Sequence, residues 1–96
     1  MAKVVVAQRA RTDLSHLITS RQLPADTLER VRRSLSQLET FPLAGRRLVG
    51  RWRRFRLVLG PWPWMLLIYQ YDETTDTVTV FAVHDARTDA AATSAG

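Results

Sequence analysis

The feature that most narrows the fold lies between residues 53 and 84, where three alternating apolar stretches are separated by two turn signals. The first, "RRFRLVLG" (53–60), sets Phe55, Leu57 and Leu59 on one side and Arg54, Arg56 and Val58 on the other. The second, "WMLLIYQY" (64–71), sets Met65, Leu67 and Tyr69 against Trp64, Leu66 and Ile68. The third is "TVTVFAVH" (77–84). Successive side chains on a strand point to opposite faces, so a period of two marks half-buried strands. "GPWPW" and "DETTD" are turn sequences, and short turns pair the three strands as an antiparallel meander. Trp62 is expected to be exposed near the tip of the first turn.

A sheet with an apolar face must bury it against another layer, and the N-terminal half supplies that layer. "KVVVA" (3–7) is a short β-branched strand, and "RTDLSHLITSR" repeats Leu14, Leu17 and Ile18 at helical spacing. After a break at "QLP", "ADTLERVRRSLSQLETF" sets Leu28, Val31, Leu35 and Leu38 on one helical face. Pro24 is expected in the first turn of this helix, with Asp26 and Glu29 at the positive end of its dipole. Pro42 stops it, and the short link implies an antiparallel helical hairpin. The order is β-α-α-β-β-β, an α+β fold with an antiparallel sheet and the hairpin packed on one face. Phe55, Leu57 and Leu59 are expected to meet the helices, leaving Arg54, Arg56, Leu66 and Ile68 on the uncovered face. A single domain is expected over 1–89, with a disordered tail, "AAATSAG", over 90–96.

Charge adds a second constraint. The net charge is +5, and Lys3 is the one lysine among 14 basic residues. Between residues 41 and 60 there are six arginines (46, 47, 51, 53, 54 and 56) and no acid. Such a local field invites an anionic partner, and arginine makes planar bidentate contacts that lysine does not. The plain alternatives are an arginine-rich codon usage, or a solvated edge paired to Asp72, Glu73 or Asp76. With no cysteine there is neither disulfide nor thiolate chemistry, consistent with a cytoplasmic location. His16 and His84 are too far apart for a metal-ligand spacing, and no cofactor is implied. The uncharged run 57–71 is broken by Gly60, Pro61 and Pro63, which argues against a membrane span.

Taken in order, the helical hairpin, "FPLAGRRLVG", "FRLVLGPWPWMLLIYQYDE" and "VFAVHDARTD" resemble the RelE/ParE superfamily of toxins from type II toxin–antitoxin operons. The resemblance covers about residues 3 to 89. It implies a toxin held inactive by a cognate antitoxin, whose C-terminal segment would need an apolar-plus-basic surface: Arg51, Arg53, Arg54, Arg56, Leu66, Ile68 and Arg87. In the RelE branch, which cleaves messenger RNA on the ribosome, basic residues on the strands do the chemistry. Arg56 matches one such position, but Val58 and Leu66 stand where others are expected, leaving Arg56, His84 and Arg87 as the candidate nuclease set. An RNA-cleaving site needs a base, charge stabilisation and an acid, and that set is half filled. The ParE branch, associated with poisoning DNA gyrase, typically ends its last strand like "HDARTD", with His84, Arg87 and Asp89 in matching places. The resemblance is therefore closer to ParE. The alternatives are a ribosome-dependent endoribonuclease and a non-toxic basic binding module.

Overall fold

The computed structural model describes residues 1–87. Strand β1 (Lys3–Val6) leads into helix α1 (Gln8–Ser20), and helices α2 (Thr27–Leu35) and α3 (Gln37–Thr40) follow after a turn. The remainder is strand: β2 (Arg46–Arg47), a 3-10 turn (Gly50–Trp52), β3 (Arg56–Leu59), β4 (Met65–Asp72) and β5 (Thr77–Asp85). All strands join one sheet in the order β1-β5-β4-β3-β2. β1 runs parallel to β5, and the other pairs are antiparallel. This is the expected α+β architecture, a meander with helices on one face. The two-residue edge strand β2 extends it. The expected tail 90–96 lies outside the described residues.

Helix and sheet meet through the positions that the periodicity marks. Val31, Leu35 and Leu38 are buried, as are Leu14 of α1 and Met65, Leu67 and Tyr69 of β4. Leu28, Leu17 and Ile18 are partly buried against the same core. Pro24 falls outside the helix it was expected to open. Thr27 opens α2 instead, fully buried, and its hydroxyl donates to the Pro24 carbonyl at 2.6 Å. Trp62 is not exposed at the turn tip: it is half-buried against the core, stacked on Trp64 with ring centroids 6.0 Å apart.

The register of β3 reverses the expected faces. Val58 lies opposite Leu67, and Leu67 opposite Val83, and all three are buried on the helix side. Leu57 lies opposite Ile68 and Leu59 opposite Leu66, so these apolar residues share the uncovered face, where Leu59 is 52% exposed. The reason is that β4 is the longer strand, with Met65, Leu67 and Tyr69 committed to the core. A neighbouring strand must take the phase of the one it pairs with, because a one-residue slip would flip all its side chains. Arg56 consequently lies opposite Tyr69, on the helix side.

A bulge then resets β5. Ile68 pairs with Ala82 but Tyr69 pairs with Val80, so Phe81 is the extra residue. Before it, Val78 and Val80 face the core; after it, Val83 and Asp85 do. His84 is thereby turned to the uncovered face, opposite Leu66. Beyond the end of β1, the Val83 amide donates to the Asp13 carboxylate of α1 at 3.1 Å, which satisfies a donor that the parallel strand no longer reaches.

Leu35 is 1% exposed and Leu59 is 52% exposed. Leu35→Ala should lower the unfolding free energy by about 2–5 kcal/mol, and Leu59→Ala should change it by less than about 0.5 kcal/mol. Urea denaturation of the two variants checks both. Equal losses would contradict the β3 register.

Candidate functional site

The uncovered face is the first part of the site. Leu66 and Ile68 are half-buried there, bracketed by Leu57 and Leu59 on β3 and by Ala82 and His84 on β5. At one end lies a row of aromatic rings. Trp52 tilts against Phe55 at 5.8 Å between centroids, and Phe55 meets the bulge residue Phe81 edge-on at 5.4 Å. Trp52 is 54% exposed and Phe81 37%. Contiguous exposed apolar side chains are a feature found at interaction sites of soluble proteins. The sequence pattern identified Leu66 and Ile68 but missed Phe55, Leu57, Leu59 and Phe81, because the register and the bulge that expose them leave no local signature.

The second part is the arginine edge. Arg46 and Arg47 on β2, Arg51 in the 3-10 turn, and Arg53 and Arg54 just after it are all exposed. Gly50, with φ at +66°, starts that turn in a backbone conformation that favours glycine. Among the described residues none of these five arginines pairs with a carboxylate. The Arg47 guanidinium donates to the Arg53 carbonyl at 3.4 Å. The alternative of a solvated edge paired to Asp72, Glu73 or Asp76 finds no such ion pair among the described residues.

Arg56 separates from this group. It is half-buried, and its guanidinium donates to the carbonyls of Gly45 at 2.9 Å and Leu43 at 3.2 Å. The Tyr69 hydroxyl completes the tie, accepting from the Gly45 amide at 2.9 Å and donating to the Pro42 carbonyl at 2.8 Å. A Cβ at Gly45 would sit 2.5 Å from that hydroxyl oxygen, so only glycine fits this approach. Burial pushes the Tyr69 phenol up, against the opposing pull of the Gly45 amide and the Arg56 charge. Arg56 thus fastens the loop that leads into the arginine edge, and the expectation that it rides on the uncovered face is corrected.

Arg87 is likewise engaged. Its guanidinium donates to both carboxylate oxygens of Asp85 at 3.2 Å and lies over the Trp64 ring at 4.4 Å. Asp85, buried at the end of β5, also pairs with Arg21 after α1 at 2.7 Å. Burial would raise this carboxyl, but the Arg87 side-chain and backbone hydrogen bonds and the Arg21 charge outweigh it and hold it below the usual range. Asp89, the last residue of the "HDARTD" pattern, lies outside the described residues.

The candidate nuclease residues do not converge. Arg56 is opposite Tyr69 and His84 opposite Leu66, on different faces and three residues apart along β4, roughly 10 Å at the rise of a strand. Among the described residues no group of His, Asp and Glu is gathered that could hold a metal ion, and no helix is long and apolar enough to cross a membrane.

The sequence matches the family described as ParE toxin of type II toxin-antitoxin system, parDE, over residues 4–90. No curated protein sequence matches it. Solved structures match in fold. The toxin-antitoxin complex RelBE2 from Mycobacterium tuberculosis superposes with a TM-score of 0.66 at 23% identity, over 88% of this chain and 96% of that one. The intact RelBE toxin-antitoxin complex of E. coli gives 0.64 at 16%, over 90% and 98%. YafQ from E. coli gives 0.62 at 16%, over 92% and 97%.

Two substitutions test the ties that frame the site. Tyr69→Phe leaves the Gly45 amide and Pro42 carbonyl without their partner and should cost about 1–3 kcal/mol, read by chemical denaturation. For Asp85 the folded carboxyl titrates below its unfolded value. Its stabilisation is therefore complete above the unfolded value of about 4 and is lost as pH falls through the folded one. Asp85→Asn should be less stable than the parent at neutral pH, and the gap between their melting temperatures should close in acid.

Proposed function

The chain belongs to the ParE toxin family of type II toxin–antitoxin systems, and on that premise we propose that it arrests growth by binding DNA gyrase, not by cutting RNA. The observation that carries this reading is the dispersal of the candidate nuclease residues. Arg56 holds loop carbonyls on the helix side, Arg87 is bound to Asp85 and Trp64, and His84 stands beside Leu66 on the opposite face from Arg56. General acid–base cleavage needs its groups within hydrogen-bond reach of one reacting centre. A toxin that acts by binding needs only surface.

The uncovered face supports neutralisation by a cognate antitoxin. Leu57, Leu59, Leu66, Ile68, Phe55 and Phe81 offer an apolar bed for an amphipathic segment, and Arg46, the β2 residue on that face, can take an acidic side chain at its margin. Such a segment would gain affinity from apolar contact and association rate from charge.

Induced expression of the chain alone should stop growth and stabilise gyrase–DNA cleavage complexes. Co-expression of the adjacent antitoxin gene should restore growth. Primer extension on cellular mRNA should show no codon-phased cuts. Codon-phased cleavage that vanishes in His84→Gln would reverse the reading in favour of a ribosome-dependent endoribonuclease. An absence of any growth arrest would leave a basic binding module.

A further inference from the structure

We propose that the arginine edge is a binding surface for double-helical DNA, with Arg46, Arg47, Arg51, Arg53 and Arg54 contacting phosphates. The inference rests on the gyrase reading and deepens it, since a target that works on DNA would be met together with duplex, and the binding test needs neither gyrase nor antitoxin.

The geometry favours a duplex over an acidic peptide. β2 is the outermost strand, and its two residues point to opposite sides of the sheet: Arg46 lies opposite Leu57 on the uncovered face, Arg47 opposite Arg56 on the helix side. Arg51, Arg53 and Arg54 follow in the turn that joins β2 to β3, and Arg47, Arg53 and Arg54 line one hollow with Arg56, Tyr71 and Glu73, so the cations gather at the sheet edge. A peptide laid on the apolar face reaches only one side of that edge. Arg46 reaches the uncovered face and Arg47 the helix side, so a polyanion that spans the edge, such as the phosphate backbone of a duplex, meets cations on both. The contacts proposed for these arginines are to phosphates, which carry no sequence information, so binding should be independent of sequence.

Two plainer explanations fall short. Charges on an edge strand guard against edge-to-edge pairing, but Arg51, Arg53 and Arg54 lie outside any strand. Arginine-rich codon usage accounts for arginine in place of lysine, but not for six cations and no acid within residues 41–60. Exposed like charges without carboxylate partners repel one another in the free chain, and a phosphate backbone relieves that repulsion.

Fluorescence anisotropy of a labelled random-sequence duplex, measured over a series of salt concentrations, tests this. The parent should bind with a log–log salt slope of about −4 to −5, since each phosphate contact contributes about −0.9. Replacing Arg51, Arg53 and Arg54 together by Gln should make the slope shallower by about 2.7, from the same per-contact value. The Lys triple at these positions should keep the parent slope and controls for folding. A charge-matched triple on the helix side, Arg9, Arg32 and Arg33 to Gln, should leave it nearly unchanged. The proposal is overturned if the parent does not bind duplex at low salt, or if both Gln triples act alike. It is equally overturned if polyglutamate of matched charge competes as well as unlabelled duplex. Duplex binding without gyrase poisoning would retain this inference and remove the gyrase reading; poisoning without duplex binding would do the reverse.

Discussion

A single layer of helices can cover only one face of a sheet, and every feature of the site follows from which face was chosen. The choice is made in β4. Met65, Leu67 and Tyr69 are fully buried, and alternation then forces Leu66 and Ile68 outward. A small domain has few large side chains with which to build a core, so three such residues on one strand outweigh the preferences of their neighbours. β3 is carried along in their phase, which sends Leu57 and Leu59 to the uncovered face. The apolar surface is a by-product of the core's registry as much as a designed feature. Once present, it is a liability in water unless another chain covers it.

The bulge at Phe81 allows β5 to serve two masters. Its first half pairs with β1 and supplies Val78 and Val80 to the core; its second half shifts phase, turning His84 out and Asp85 in. A buried carboxylate is costly unless it is paired and hydrogen-bonded. Arg21 arrives from the end of α1 and Arg87 from the chain beyond β5, so the shift is tolerable only because both reach Asp85. Helix, strand end and the Trp64 turn are thereby joined at one point.

Much of this was legible in the sequence. The α+β order, the helix-facing residues of α2, the two faces of β4 and the acid-free arginine block all follow from period and composition. The β3 faces did not, because local hydrophobicity favours Phe55, Leu57 and Leu59 as core over a strand that buries Arg56. What reverses it is remote: β3 takes the phase of β4, and the carbonyls of Leu43 and Gly45, 13 and 11 residues upstream, then accept from the Arg56 guanidinium on the helix side. The bulge was invisible for a related reason, since "VFAV" alternates no differently with or without an extra residue. Trp62 looked exposed because turns usually are, yet Trp64 and Arg30 give its ring two flat partners. Of the candidate site, Leu66 and Ile68 emerge together with Arg51, Arg53 and Arg54 at the adjoining edge, whereas Arg56 and Arg87 are engaged elsewhere.

The arginine bias itself divides on inspection of what each guanidinium does. Arg56 spans two carbonyls, and Arg87 grips both oxygens of Asp85 while stacking on Trp64. A lysine ammonium, a point charge on a flexible stem, can do neither in the same geometry. Those positions have a structural reason to be arginine, and it would hold in a chain with no partner at all. Arg46, Arg47, Arg51, Arg53 and Arg54 have no such reason: they are exposed and, among the described residues, touch no carboxylate. Beside the arginines that the fold uses, five stand together at one edge of the sheet, while Arg32 and Arg33 lie exposed on α2. The concentration of those five at one edge, exposed and without carboxylate partners among the described residues, and not the total of basic residues, is the quantity that speaks of function.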